Sequence, residues 1–188
     1  MRSHTRKSLA IYACLTALMG AAGAQADQGD WYLGGSGDVT WLRHSDTGGG
    51  ANLDVGYRFM PNMRAEAEVG YHNTPGESGY ADSYYFSYMG DVYYDFNQLA
   101  FSPDSSHWRI VPYIGGGLGA ASYHYGQSNF ANTFHHNDTD FAYQGLAGVT
   151  LVSDAMPNLD WVLGYRYVGV DANDIQANNI ELGVRWHF

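Results

Sequence analysis

Apolar and polar residues alternate strictly in the last ten residues of the chain. The apolar side chains occupy every second position: Ile180, Leu182, Val184, Trp186 and Phe188. The positions between them hold Glu181, Gly183, Arg185 and His187. A period of two is typical of a strand whose two faces meet different surroundings. Because the polar face carries charges of both signs and the apolar face ends in an aromatic residue, the pattern suits a strand in lipid with its polar face inside a barrel.

The same alternation recurs along the chain, interrupted by polar, glycine-containing and proline-containing connections. The predicted strands are Trp31–Leu42, Ala51–Phe59, Met63–His72, Tyr84–Phe96, Arg109–Tyr125, Phe141–Leu151, Leu159–Tyr167 and Asn179–Phe188. Residues 97–108, 126–140 and 168–178 are predicted to be loops. The third segment is rich in helix formers, but its strict alternation favours a strand. Glycines in the fifth segment weaken it as an ordinary strand, whereas in a small barrel they leave space for bulky neighbours inside.

Charged residues in these segments share the parity opposite to the apolar one. They are Asp38, Asp54, Arg58, Arg64, Glu66, Glu68, Asp91, Asp95, Arg109, Asp160, Arg166, Glu181 and Arg185. A lipid-facing arginine near the bilayer midplane costs about 2–4 kcal/mol, so the parity predicts that all of them face a barrel interior. A soluble β-sandwich would have to bury this charged face or expose a wide apolar one. The sequence therefore predicts an all-β fold, an eight-stranded antiparallel up-and-down transmembrane β-barrel.

Aromatic residues fall near both ends of the predicted strands. With the N-terminus in the periplasm, the periplasmic group is Trp31, Phe59, Phe96, Trp161 and Phe188. The outer group is Trp41, Tyr71, Tyr84, Phe141 and Tyr167. Two such groups correspond to the aromatic girdles at the two interfaces of a membrane.

Residues 1–26 have the pattern of a secretory signal peptide. Arg2, Arg6 and Lys7 are basic, residues 9–22 are mostly apolar, and Ala24-Gln25-Ala26 fits a small-x-small cleavage site. The predicted division is therefore a removed signal peptide, 1–26, and a barrel domain, 27–188. The barrel domain keeps six basic and nineteen acidic residues, a formal charge of −13, and it lacks Cys14, the single cysteine. Disulfide and thiol chemistry are accordingly not expected.

Four short motifs carry a family resemblance. They are Gly56-Tyr57-Arg58-Phe59, the run 112–119, Gly164-Tyr165-Arg166-Tyr167 and the final Phe188. Their order resembles the eight-stranded outer-membrane barrels of the OmpA transmembrane-domain and opacity-protein type, over essentially the whole mature chain. The resemblance implies location in the bacterial outer membrane and contact with its lipids and lipopolysaccharide. No peptidoglycan-binding domain, which many OmpA-type proteins carry after the barrel, is implied.

The final strand also resembles the C-terminal assembly signal of outer-membrane barrel proteins. The matching positions are Glu181, Gly183, Trp186 and Phe188. The resemblance implies that the barrel-assembly machinery recognises this strand.

The predicted interior allows two functions. An eight-stranded barrel is just wide enough to be filled by side chains, so the arginines and acids are predicted to form a closed plug of ion pairs. The alternative is a narrow or gated path for ions or small solutes, lined by the same charges. His72 and His187 share the inward parity.

The predicted outer loops carry the second candidate chemistry. His135, His136, Asp138 and Asp140 bring possible metal ligands into one loop, but their spacing matches no closed site, and neither a metal nor a cofactor is predicted. Acids outnumber arginines in these loops, which disfavours nucleic acid and favours a basic or cation-bridged surface ligand.

Some eight-stranded outer-membrane barrels are lipid A acylases or deacylases, so catalysis is a third possibility. Such sites need a serine with a nearby histidine and carboxylate. The His-x-Ser motif of one deacylase family does not occur in this chain. The sequence therefore favours a non-enzymatic barrel that supports the envelope and presents loops for surface interaction. A small pore is the alternative hypothesis, and a lipid-modifying enzyme is the third.

Overall fold

The computed structural model describes residues 30–42, 47–74, 83–103, 107–125, 137–171 and 175–188. These residues form eight strands: β1 (Asp30–Leu42), β2 (Thr47–Met60), β3 (Met63–Thr74), β4 (Ser83–Asp95), β5 (Trp108–Tyr125), β6 (Asn137–Ser153), β7 (Met156–Val170) and β8 (Ile175–His187). A short 3₁₀ helix, Asn97–Leu99, follows β4. Each strand pairs antiparallel with the next, and β8 pairs with β1, which closes the sheet. The predicted up-and-down barrel of eight strands is confirmed. Within the described part of the chain, no helix is long and apolar enough to span a membrane.

The strand register is staggered around the barrel. A row of directly paired residues that starts at Tyr32 in β1 passes through all eight strands and returns to β1 at Leu42. One circuit therefore advances the register by ten residues, and such a stagger makes the strands of a closed barrel tilt against its axis. Because of this tilt, side chains far apart in sequence reach the same level of the interior.

The two faces of the strands have the chemistry that the alternation predicts. Leu53 and Leu182 lie on the outer face and are 68% and 60% exposed. Their inward neighbours Asn52 and Glu181 are 1% and 4% exposed. An apolar outside and a polar inside are the arrangement that a barrel in lipid requires.

Glycines on the inner face make room for large side chains from the neighbouring strand. A side chain at Gly56 would overlap the ring of Tyr32, which lies directly across from it on β1. A Cβ at Gly115 would lie 2.5 Å from the ring of Tyr93 on β4. The glycine-rich fifth strand thus has the role that the sequence predicts, because its inner-face glycines leave space for larger side chains of β4: Tyr93, Asp91 and Met89.

Aromatic residues mark both ends of the barrel. The backbone N–H of Phe188 donates to the carbonyl of Trp31 at 3.1 Å, at the end that holds both ends of the described chain. At the opposite end, here called the outer end, the rings of Tyr71 and Phe86 are 5.3 Å apart. The exposed rings of Trp41, Tyr84 and Phe141 belong to this outer group.

Most strands extend beyond their predicted bounds. The predicted loop 168–178 is wrong for seven of its residues, because 168–170 belong to β7 and 175–178 to β8. The predicted loop 126–140 is likewise wrong at 137–140, which belong to β6. Polar composition predicts loops there, but the backbone continues to pair: Val168 lies opposite Ala177, which lies opposite Leu42.

We expect Leu163→Arg to impair insertion of the barrel. Leu163 lies in the middle of β7 and is 47% exposed on the outer face, so the arginine would meet hydrocarbon at a cost of about 2–4 kcal/mol. Urea titration of the protein refolded into lipid vesicles measures this loss, with Leu163→Ile as the matched control. Equal stability of the two variants would contradict the assignment of this face to lipid.

Candidate functional site

The barrel interior gathers the charged residues that the sequence singles out. Twelve of the thirteen lie on the inner face and are buried or half-buried: Asp38, Asp54, Arg58, Arg64, Glu66, Glu68, Asp91, Asp95, Asp160, Arg166, Glu181 and Arg185. The exception is Arg109, which has the inward parity but is exposed. Its position explains the difference, because β4 ends at Asp95 opposite Tyr113 and Arg109 lies beyond that level. The prediction that Arg109 belongs to the interior network is therefore wrong.

Arg64 is the centre of a lower cluster near the chain ends. Its guanidinium forms a close ion pair with Glu66, and its Nε lies 3.3 Å from Asp95 Oδ1. The same guanidinium donates to the Tyr32 hydroxyl at 3.2 Å and lies 3.8 Å from the centre of the Tyr93 ring. Arg64 is 0% exposed, so this buried cation is compensated by two carboxylates and an aromatic face.

Arg185 extends the lower cluster across the closure of the barrel. Its Nε lies 3.5 Å from Glu66 Oε1, and its Nη1 donates to the Thr150 hydroxyl at 3.3 Å. The Tyr32 hydroxyl donates to the same Glu66 oxygen at 2.6 Å. Glu66 thus joins strands β1, β3 and β8.

His187 and Arg58 lie towards the end of the barrel that holds the chain ends. His187 Nε2 is 2.9 Å from Asp160 Oδ2, and Arg58 Nη2 is 3.7 Å from Asp95 Oδ2. The Arg58 side chain is 32% exposed, so its ion pair is more open to water than those of Arg64.

Arg166 is the centre of an upper cluster. It donates to both carboxylate oxygens of Glu68, one at 2.6 Å and the other in a closer contact. It also lies 2.8 Å from Glu181 Oε2 and 3.3 Å from the side-chain oxygen of Gln144. Gln144 in turn donates to Asp91 at 2.6 Å. A two-pronged guanidinium–carboxylate pair such as Arg166–Glu68 is among the strongest polar contacts in proteins. The upper cluster as a whole joins strands β3, β6, β7 and β8.

A third polar group surrounds Asp38 nearer the outer end. Its carboxylate lies 2.9 Å from the Thr40 hydroxyl, accepts from the Asn52 amide at 3.1 Å, and is 3.5 Å from His72 Nδ1. Asn179 accepts from Thr40 at 2.6 Å. His72 therefore points inward, as its parity predicts. It faces the Asp38 carboxylate of β1 across the space that glycine at position 50 leaves open.

Carboxylates outnumber arginines in this interior. Asp91 has one oxygen without a hydrogen-bond partner among the described residues, and so does Asp54. Buried polar atoms without protein partners are the usual positions of internal water. In the part of the chain that the structure describes, no three His, Cys, Asp or Glu side chains are arranged to hold a metal ion. His135 and His136 of the predicted outer loop lie outside the described residues, and Asp140 is half-buried at the end of β6.

Several interior charges have neutral partners that a search for charged residues does not include. Tyr32, Tyr93, Thr150 and Gln144 all point inward and contact the arginines or acids. Their inward parity could have indicated this role, since a polar or phenolic side chain on the charged face needs a hydrogen-bond partner.

The C-terminal assembly positions divide between the two faces. Glu181 and Gly183 are buried on the inner face, whereas Trp186 and Phe188 are exposed on the outer face. Glu181 is thus part of the interior network as well as of the predicted signal.

We expect Arg166→Leu to destabilise the barrel by about 3–5 kcal/mol, because it leaves Glu68 and Glu181 as buried anions without a cation. Equilibrium unfolding in urea measures the change. Arg109→Leu is the matched control, with a change within about 0.5 kcal/mol because this arginine is exposed. Adding Glu68→Leu to Arg166→Leu should restore part of the loss. Equal effects of the two arginine substitutions would contradict a compensated buried cluster.

Known proteins share this architecture. The family model described as outer membrane protein beta-barrel domain matches residues 10–188. No curated protein matches the chain. The crystal structure of Neisserial surface protein A (NspA) is similar over 86% of this chain and 100% of that chain, with 20% sequence identity and a TM-score of 0.67.

Two further solved structures show a more distant likeness. Ail, the attachment invasion locus protein of Yersinia pestis, has 16% identity and a TM-score of 0.48, over 85% of this chain and 97% of its own. The outer membrane enzyme PagL has 15% identity and a TM-score of 0.46, over 81% and 98% of the two chains. The family match covers nearly the whole sequence, and the structure supplies the barrel. This chain therefore belongs to the outer membrane protein β-barrel domain family and is a protein of the bacterial outer membrane.

Proposed function

We propose that this protein is a non-enzymatic barrel that presents an interaction surface outside the cell, after export with a cleaved signal peptide, residues 1–26. The observation that carries the proposal is the length of β5 and β6. They contain 18 and 17 residues, whereas about 9–11 residues cross a bilayer. Part of this surplus lies at the end with the chain termini, where Arg109 is. At the outer end, β6 continues over 137–141 past Ala142, which lies opposite the last residue of β7.

The outer face of this hairpin supports the same reading. Phe141 is an exposed aromatic of the outer girdle. Beyond it, Ser122 and Thr139 lie opposite one another on the outer face, and their hydroxyls are 2.9 Å apart. A hydrogen-bonded hydroxyl pair in place of apolar side chains suits water or headgroups better than hydrocarbon. The ends of β5 and β6 therefore form a small sheet above the membrane.

The charge of this projecting sheet indicates the kind of partner. Asp138 and Asp140 lie two residues apart on β6 within the projection, and the sequence 121–140 contains no lysine or arginine. An acidic surface attracts basic groups or cations that bridge to other anions. We infer a basic or cation-bridged surface ligand, with lipopolysaccharide and lipid around the barrel wall and the assembly machinery at β8.

We expect the double substitution Asp138→Lys and Asp140→Lys to weaken attachment to basic surfaces. Reversing both charges replaces attraction by repulsion, and the measurement is adherence of expressing cells to immobilised basic peptide at low and physiological salt. Asp154→Lys, an exposed position in the turn at the other end of the barrel, is the matched control. Normal adherence of the double variant would remove the projecting hairpin as the binding surface.

A pore is the second candidate, and the buried interior argues against a permanently open one. Arg166 and Arg64 are 3% and 0% exposed inside the barrel, so an ion would have to displace paired charges to pass.

We accordingly expect the purified protein to give no steady single-channel openings in planar bilayers, while its heat-modifiable mobility in SDS gels confirms the folded barrel. Regular openings of the folded protein would instead favour a pore as its function. Lipid A mass spectrometry of expressing cells addresses the third candidate, and a lost or gained acyl chain would make the protein an enzyme.

A further inference from the structure

The inner face changes from polar to apolar at one level near the outer end. On four strands, a polar residue of the network is followed, two positions towards the outer end, by an apolar one. These pairs are Asp91 and Met89 on β4, Gln144 and Ala142 on β6, Arg166 and Val168 on β7, and Asn179 and Ala177 on β8. The boundary is therefore shared by four of the eight strands, β4 and β6 to β8, and is not confined to one strand.

The apolar residues above this boundary form one contiguous cluster, here called the outer seal: Tyr85, Met89, Ala121, Ala142, Val168, Val170 and Ala177. All seven are at most 8% exposed. They come from β4 to β8, and the β1 to β3 side at this level holds the buried side chains of Thr40 and His72. The outer seal thus covers more than half of the circumference.

Tyr85 joins the two sides of this level. Three members of the outer seal are alanines, and Tyr85 is its largest side chain. From β4 its ring stacks on the imidazole of His72, with ring centres 4.6 Å apart and planes at 14°. His72 is itself held 3.5 Å from Asp38. The tyrosine therefore closes a space that the small residues on β5, β6 and β8 leave open.

We infer that the outer seal, with Tyr85 as its closing side chain, is the barrier between the outside and the polar interior of this barrel. The polar network beneath it contains buried atoms that have no partner within the described strands, such as Asp91 Oδ2 and Tyr113 Oη, and such atoms are suited to water. A layer of apolar side chains excludes water and ions by dewetting. The arginine–carboxylate clusters compensate buried charge, and the outer seal closes the route to them.

The inference is independent of the proposed surface interaction, since it concerns access to the interior and not the projecting hairpin. It is tested with a cysteine directly beneath Tyr85, the closing side chain of the seal. Ser87 lies on the inner face of β4, two residues from Tyr85 towards the interior network, and is 6% exposed. Ser87→Cys in a Cys14→Ser background supplies the single thiol. Its rate of reaction with a small charged thiosulfonate is measured on the folded protein, expressed from the full sequence.

The Ser87→Cys protein should react slowly, and adding Tyr85→Ala should accelerate the reaction by about tenfold or more. Tyr84→Ala is the matched control, because Tyr84 is the adjacent tyrosine and is exposed on the outer face. It should leave the rate unchanged, and so should Tyr85→Phe. Val170→Thr, which adds a hydroxyl at nearly constant volume, should also accelerate the reaction and serves if Tyr85→Ala fails to fold.

Three results would overturn the inference. They are fast labelling with Tyr85 intact, equal rates for Tyr84→Ala and Tyr85→Ala, and acceleration by Arg166→Gln but by neither seal variant. The last result would make the ion pairs the barrier. Altered adherence with unaltered labelling would concern the projecting hairpin alone, so failure of one proposal is distinguishable from failure of the other.

Discussion

The pairing of β8 with β1 is the contact on which the rest of the structure depends. Backbone N–H and C=O groups without partners cost several kcal/mol each in hydrocarbon, so a sheet in a membrane must close on itself. Here closure joins eleven residue pairs, from Tyr32–His187 to Leu42–Ala177. It also fixes the ten-residue stagger, because the register of this last seam determines which inward side chains share a level.

The stagger brings together charges that the chain separates widely. Arg166 and Glu68 are 98 residues apart in sequence and lie on strands β7 and β3, which are not neighbours, yet their side chains meet inside the barrel. Their contact is possible because the lumen is narrow enough for one long side chain to cross it. A buried ion pair adds little net stability, but a buried charge that loses its partner costs several kcal/mol. The clusters therefore stabilise the one register in which every interior arginine meets its carboxylates.

The sequence predicts the faces of the strands well and the partners of the charges poorly. Parity places Arg64, Glu66 and Glu68 inside because a slip of one residue would move them into lipid. It does not show that Arg64 lies against Tyr93, since that contact depends on the register between β3 and β4 and on the space at Gly115. Arg109 has the correct parity but lies beyond the level where β4 covers it. The strands are also longer than the apolar pattern predicts, because polar residues such as Gln176 continue to pair beyond the apolar part of the strand.

Two requirements of a small barrel, compensation of buried charge and exclusion of water, are met at different levels of the interior. Charge compensation needs arginines and acids in direct contact, and these occupy the middle and lower levels around Arg64 and Arg166. Exclusion of water needs apolar side chains across the lumen. These lie above the clusters, in the outer seal from β4 to β8, where Tyr85 reaches His72 on β3. Each interior arginine has a carboxylate partner. Because the interior has more acids than arginines, one oxygen each of Asp54 and Asp91 has no hydrogen-bond partner among the described residues. A polar core of this kind favours hydration, so the tight ion pairs are better suited to holding the strands in register than to keeping water out.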